Sequence, residues 1–484
     1  MVPCPRRSLF PKILVSLALC VIASGLPAAE SRVRQKALES VEAQRDDLVR
    51  LSEQIWAWAE TALRETRSAA AVADYAERHG FRVERGVAGL PTAFIASFGE
   101  GRPIIGILGE YDALPGISQK AQTTQEPLQA GGAGHGCGHN LFGPASLGAA
   151  LAIKDRIAAG DLKGTIRFYG TPAEEALGGK IYMARAGLFR DLDLALAWHP
   201  ADRTQADVDS SQAMVELVAE FRGRSAHAAA DPWNGRSALD GLEAFTHGIN
   251  LLREHVKPSV RMHYVVQDGG KVPNVIPDYA RLLIWLRDSK RTGVDQVLER
   301  VRQIAQGAGR IAGVESILTI QSGTYEMLVN MEGAKLLHAN LTRLGAIPYT
   351  EEEQKFAREL QRNSGVEEKG IDGSIQPLEK PKPDPPGGST DVADVSWIVP
   401  TLHLSVTTTP WEVPWHSWPT VASSGMSIGQ KGMMQAARAL AVTMVDLYEK
   451  PALREAIRAE FVEKTRGHVY KAYLKDGPPI LPAP

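Results

Sequence analysis

Cysteine is scarce: three in 484 residues are too few for a disulfide framework. Charge of either sign is not in excess. The 54 basic and 56 acidic residues leave a net charge of −2, which removes the basic surface that nucleic-acid binding needs. An apolar run at residues 13–23 falls short of the roughly 20 residues of a spanning helix, and no other stretch looks transmembrane. A Walker A loop and a G-x-G-x-x-G turn are both missing, which removes the commonest phosphate and dinucleotide chemistries. What is present is ordinary for a soluble globular protein: 44% hydrophobic and 23% charged residues. The length exceeds what one core serves, so two or more domains are expected.

The first 29 residues have the layout of a secretory signal peptide, with Arg6, Arg7 and Lys12 before the apolar run and small residues at Ala28 and Ala29. The alternative is an uncleaved anchor. Cleavage near Ala29 removes Cys4 and Cys20 and leaves a net charge of −5 with one cysteine, Cys137. The expected location is the periplasm or the exterior, with no membrane contact after cleavage.

Helical spacing over residues 35–80 gives way to short apolar runs at 93–97, 104–108, 165–169 and 192–198, with a helix expected from Pro144 to Ala158. Strands alternating with helices imply an α/β domain with a mixed, mostly parallel sheet. Residues 214–321 follow a β-α-β-β-α-β order, the pattern of a small ferredoxin-like unit. The expected division is a discontinuous catalytic domain, 30–210 and 325–484, with 211–324 inserted as a lid. Residues 365–389, rich in proline, are expected to form an exposed loop.

Most of the twelve histidines need no special role; His79, His247, His255, His338 and His468 fit helix surfaces. Four stretches carry chemistry. Gly134 to Asn140 (GHGCGHN) places Cys137 and His139 two apart on a glycine-dense turn before a helix, where thiolate and imidazole can reach one metal; a buried thiol in a glycine loop is the alternative. Gly170 to Glu175 (GTPAEE) follows a strand, where one carboxylate can bind metal and the other move a proton; alone, the pair also fits a charged first turn of a helix. His199 follows another apolar strand, and His416 follows a proline-punctuated stretch. Together Cys137, His139, Glu175, His199 and His416 suffice for two divalent ions. A Cys137 nucleophile is a competing chemistry, but it has no use for the Glu pair and three histidines.

These residues resemble the aminoacylase/carboxypeptidase superfamily of dinuclear metallohydrolases, in the amidohydrolase branch where cysteine takes a metal position otherwise held by aspartate. The resemblance is narrower to the aminobenzoyl-glutamate utilization B group, through Gly86 to Phe94 (GVAGLPTAF), Gly109 to Gly116 (GEYDALPG), Ser225 to Ala230 and Ser389 to Val392. It spans roughly residues 32 to 450. It implies two divalent ions, zinc or manganese, held by Cys137, His139, Glu175, His199 and His416. It implies Glu174 as general acid/base and Asp112 as the partner that orients a ligand histidine. His227, from the lid, is expected to reach the active site of the other subunit of a homodimer and stabilise the tetrahedral intermediate, with Asn274 lining the same pocket and Arg287 facing a substrate carboxylate. Asn140 and Phe142 replace residues typical of the broader branch, which fits the narrower group. The implied activity is hydrolysis of an amide bond in N-acyl or aminoacyl amino acids, p-aminobenzoyl-glutamate first. Alternatives are a dipeptidase for short unusual dipeptides and a non-catalytic periplasmic binder of acyl-amino acids.

Overall fold

The computed structural model describes Met1 and residues 31–176, 178–384, 387–475 and 477–479; the expected signal peptide otherwise lies outside the described residues. None of the described helices is long and apolar enough to cross a membrane.

The described residues fold around two sheets. The strands of the first are β1 (Arg82–Arg85), β2 (Phe94–Glu100), β3 (Ile104–Gly109), β4 (Gly164–Gly170), β5 (Leu194–Ala201) and β6 (Gln205–Ala206), joined late in the chain by β11 (Thr401–Thr407). The second holds β7 (Ala213–Arg222), β8 (Arg261–Asp268), β9 (Tyr279–Asp288) and β10 (Glu315–Thr324). In the first sheet the order is β1-β2-β4-β3-β5-β11-β6. The pairs β4/β3, β3/β5 and β5/β11 are parallel and the outer pairs antiparallel. Strands β3, β4 and β5 are buried almost throughout, as parallel strands covered on both faces must be, and this is why they read as continuous apolar runs. The helices Arg32–Ala43, Arg45–Trp58, His139–Ala158 and Ser427–Glu449 share their core. A buried network binds the first to the last: Arg34 donates to Asp446 Oδ2 at 2.5 Å and to Asn340 Oδ1 at 2.9 Å.

The second sheet has the order β10-β7-β9-β8, antiparallel throughout. With the helices Ala238–Leu252 and Arg291–Ala312 it makes the expected β-α-β-β-α-β unit, with its own core around Phe221, Phe245, Leu282 and Ile284. The C-terminal tail joins the two cores, Tyr473 packing into the second and Tyr470 against the first.

Several expectations are corrected. Residues 35–80 form three helices, ending at Arg78. The helix expected at Pro144 starts at His139, since Gly138, at φ 72°, turns the chain directly into it; Pro144 removes only one bond of its ladder. His199 lies within β5 rather than past it, and β11 had no counterpart among the strands expected from the apolar runs. His468 lies beyond the last helix, its ring centroid 4.5 Å from that of Trp397.

Candidate metal centre

Functional side chains gather where parallel strands end. Beyond β3, at Gly109, come Glu110 and Asp112; beyond β4, at Gly170, come Glu174 and Glu175. His199 stands two residues before the end of β5, and His416 follows β11 by a loop. Two glycines let these segments meet. A Cβ on Gly136 would lie 3.1 Å from the Cα of His416, and one on Gly138 2.9 Å from Pro200 Cβ. His416 itself has φ 54°, a left-handed conformation that costs energy in any residue with a Cβ and is held only where the surroundings enforce it. Here its N–H donates to the Gly136 carbonyl at 3.1 Å.

The ligand atoms of Cys137, His139 and His199 lie within 4.8 Å of one another, as do those of Cys137, Glu175 and His416. A third group of the same kind joins Glu110, His139 and Glu174. Cys137 Sγ is 3.1 Å from His416 Nε2, which is 3.5 Å from Glu175 Oε2. His139 Nδ1 faces Asp112 Oδ1 at 3.0 Å, and His199 Nδ1–H donates to the Pro200 carbonyl at 2.6 Å. Each ring is thereby oriented with Nε2 left for a ligand role, the arrangement that outer partners impose on metal-binding histidines. His416 is the exposed member of the set and marks its open side.

The electrostatics are those of a site crowded with acid. Glu110, Asp112 and Asp391 are buried, and Glu174 and Glu175 half-buried. The matching cation is Lys180, fully buried, with Nζ 2.6 Å from both Glu110 Oε1 and Asp391 Oδ1. Burial, reinforced by Glu110 and Glu175, pushes the Glu174 carboxyl well above its usual range. Burial also raises Glu175 to about 7 and, with the neighbouring Glu175 charge, raises the Cys137 thiol. Against the effect of burial, Glu110 and Asp112 push the His139 ring well above its usual range, while burial lowers His199 to about 4. Glu175 Oε1 is buried without a hydrogen-bond partner among the described residues. Buried acids so crowded stay ionised only beside cations, and thiolate, imidazole and carboxylate suit divalent transition ions. The residues therefore fit a divalent-metal centre.

The three residues of the second sheet unit stand apart from these groups. His227 is exposed, its Nδ1 accepting the N–H groups of Ala229 and Ala230 at 3.2 and 3.0 Å. Asn274, also exposed, sits beside it, its carbonyl accepting the Ala228 N–H at 3.0 Å. Arg287 lies over the Trp285 ring at 5.0 Å. His135 turns away to the Ile55 carbonyl, at 3.1 Å. Sequence reasoning assigned no role to Glu110, Lys180, Asp391 or Glu65. Glu110 and Asp391 stood inside motifs already singled out; Lys180 and Glu65 carried no local signal.

Residues 106–446 match the profile of Peptidase family M20/M25/M40. The chain is 34% identical over 472 residues to a component of the p-aminobenzoyl-glutamate hydrolase of Escherichia coli (strain K12), covering 92% of this chain and 98% of that protein. It is 29% identical over 444 residues to the Xaa-Arg dipeptidase of Mus musculus, covering 89% and 92% of the two chains. In fold it is similar to a dinuclear metal binding peptidase of the M20 family from Bacillus subtilis, with a TM-score of 0.58, 19% identity, and 84% of this chain and 99% of that chain covered.

Proposed function

The chain belongs to peptidase family M20/M25/M40 and is a metal-dependent hydrolase of amide bonds in small molecules, and on that premise we propose that its substrates are p-aminobenzoyl-glutamate and similar N-acyl or aminoacyl amino acids. The observation that carries this reading is the pair of three-donor groups sharing Cys137, with Glu174 beside them. The name of the Escherichia coli relative supports the aminobenzoyl substrate. The dipeptidase reading draws on the mouse relative. One screen of N-acyl and aminoacyl amino acids separates the two.

Cys137, His139 and His199 would hold one divalent ion, and Cys137, Glu175 and His416 a second. Ions bound there supply Lewis acidity toward a carbonyl oxygen and toward water; the thiolate favours zinc, and the imidazole and carboxylate donors also accept manganese. Asp112 orients His139. Glu174, whose carboxyl has a high proton affinity, takes a proton from the attacking water and returns it to the leaving amine. His227 completes stabilisation of the developing oxyanion from the partner subunit of a homodimer, Asn274 lines the pocket, and Arg287 faces the substrate carboxylate. In this reading residues 30–210 and 325–484 form the catalytic domain, residues 211–324 the lid, and residues 1–29 direct the protein to the periplasm or beyond.

The test is Glu174→Gln. It should lower kcat by about 10²–10⁴-fold, the usual contribution of a general acid/base, with bound metal unchanged. Near-parental turnover would remove Glu174 from the role. A wholly chelator-insensitive activity blocked by alkylation of Cys137 would point instead to thiol chemistry.

A further inference from the structure

Buried carboxylates tie down the loop that carries Glu174 on both sides of it. After it, the Glu175 N–H donates to Asp112 Oδ2 at 2.9 Å. Before it, the Ala173 N–H donates to Glu65 Oε1, also at 2.9 Å. Asp112 has a second contact that explains its presence, His139. Glu65 belongs to none of the three donor groups. It is wholly buried, and its other oxygen accepts the Thr92 hydroxyl at 2.9 Å.

The residue Glu65 holds is strained. Ala173 is fully buried with φ 60°, a left-handed conformation in which its Cβ crowds the backbone. Such strain persists only where the surroundings over-determine it, and it concentrates at functional sites. A further restraint on this turn is the Gly178 N–H, which donates to the Ala173 carbonyl at 2.8 Å. If Ala173 relaxed to an ordinary φ, the chain direction at the next residue would change, and the next residue is Glu174.

We infer that Glu65 is a positioning residue for the proton transfer: by accepting the Ala173 N–H it holds the left-handed turn that aims the Glu174 carboxyl. The inference rests on the reading of Glu174 as the proton carrier. What the turn requires is an acceptor at the reach of a glutamate side chain, whatever its charge. Glutamine meets that requirement, and its amide can donate to the Thr92 hydroxyl in place of the bond it loses. Aspartate keeps the carboxyl group but is one methylene short.

Full-length, metal-loaded Glu65→Gln and Glu65→Asp enzymes therefore separate position from charge. Glu65→Gln should keep kcat within about 3-fold of the parent, and Glu65→Asp should lose about 10²-fold, the usual effect of misplacing a reacting group by about 1 Å. KM should stay within about 2-fold in both, because substrate binding is untouched. Bound metal should also be unchanged. Adding Ala173→Gly to Glu65→Asp should return about tenfold of the lost kcat, because glycine takes this φ without strain. The reverse order of the two single variants overturns the proposal, as does equal kcat in both. So does a change confined to the melting temperature of the metal-free protein. Should Glu65→Asp fail to fold, Glu65→Gln alone decides, because its inactivity contradicts a role by position. Glu174→Gln measured alongside keeps the premise separate: if active, it removes the proton carrier itself, whereas its inactivity together with a fully active Glu65→Asp removes only Glu65.

Discussion

Cys137 is common to two of the three three-donor groups, the two proposed to hold the ions, whereas His199 and His416 each belong to one. Loss of the thiolate should therefore strike both ions and loss of either imidazole only one. Metal-stripped protein titrated by calorimetry should take up about two equivalents, His416→Ala about one and Cys137→Ala close to none at the same concentrations, since a shared ligand supports both ions of a two-metal site. Parental stoichiometry in Cys137→Ala would contradict the shared position. The residues of this centre were legible because each is a strong ligand type beside a glycine turn or near a strand end, a pattern that shows locally. Glu65 and Lys180 were not, because what they do depends on partners 108 and 211 residues away, and a lone Glu or Lys in a helical stretch looks like solvated surface until the fold buries it.

Asp394, on the short helix Val392–Ser396, ties three elements together. Its Oδ2 accepts the Thr324 hydroxyl at 2.5 Å and the Tyr325 N–H at 3.2 Å at the end of β10, and its Oδ1 accepts the Tyr470 hydroxyl of the tail at 2.6 Å. Burial, which outweighs these bonds, raises its pKa from 3.8 to about 6. Since the folded state favours the protonated acid, this contribution to stability is complete below about pH 3.8 and disappears as pH rises through about 6. The full span is about 3 kcal/mol, with about half of it falling between pH 5 and 8. Urea unfolding of Asp394→Asn should therefore show a flatter pH dependence than the parent across that range, and parallel curves would contradict a raised Asp394. Legibility at this scale followed burial. Strands β3, β4 and β5 announced themselves because apolar residues fill both faces. β11, their neighbour, did not, because His403 and Ser405 interrupt the pattern. Both side chains contact Asp207, at 2.6 Å for His403 Nδ1 and at 2.9 and 3.0 Å for the Ser405 hydroxyl, so a polar pair is accommodated in a strand whose other residues look like core. The start of the helix at His139 was misplaced for a similar reason: Pro144 looks like a helix's first residue, whereas the turn is made by Gly138.

At the scale of the whole molecule, the second sheet ends in an open edge. Among the described residues β8 pairs only with β9, and Val265 and Val266 on it are 65% and 47% exposed. An apolar, unpaired edge strand invites pairing with another chain, and His227, exposed and bound to none of the donor groups, stands on the same unit. Both features are accounted for if two copies associate through this unit and each lends His227 to the other. The consequence is quantitative. Glu174→Gln and His227→Ala should each be nearly inactive as pure proteins. In a mixed dimer with shared sites, one site collects both lesions and the other none. Random assortment at equal amounts makes about half of all dimers mixed, and each holds one intact site of two, so about a quarter of parental activity should return. Val265→Glu, which places a charge on the edge, should lower both the dimer fraction by light scattering and the recovered activity. If dimers verified as mixed recover nothing, each active site is self-contained, and His227 then has to be sought in a different role.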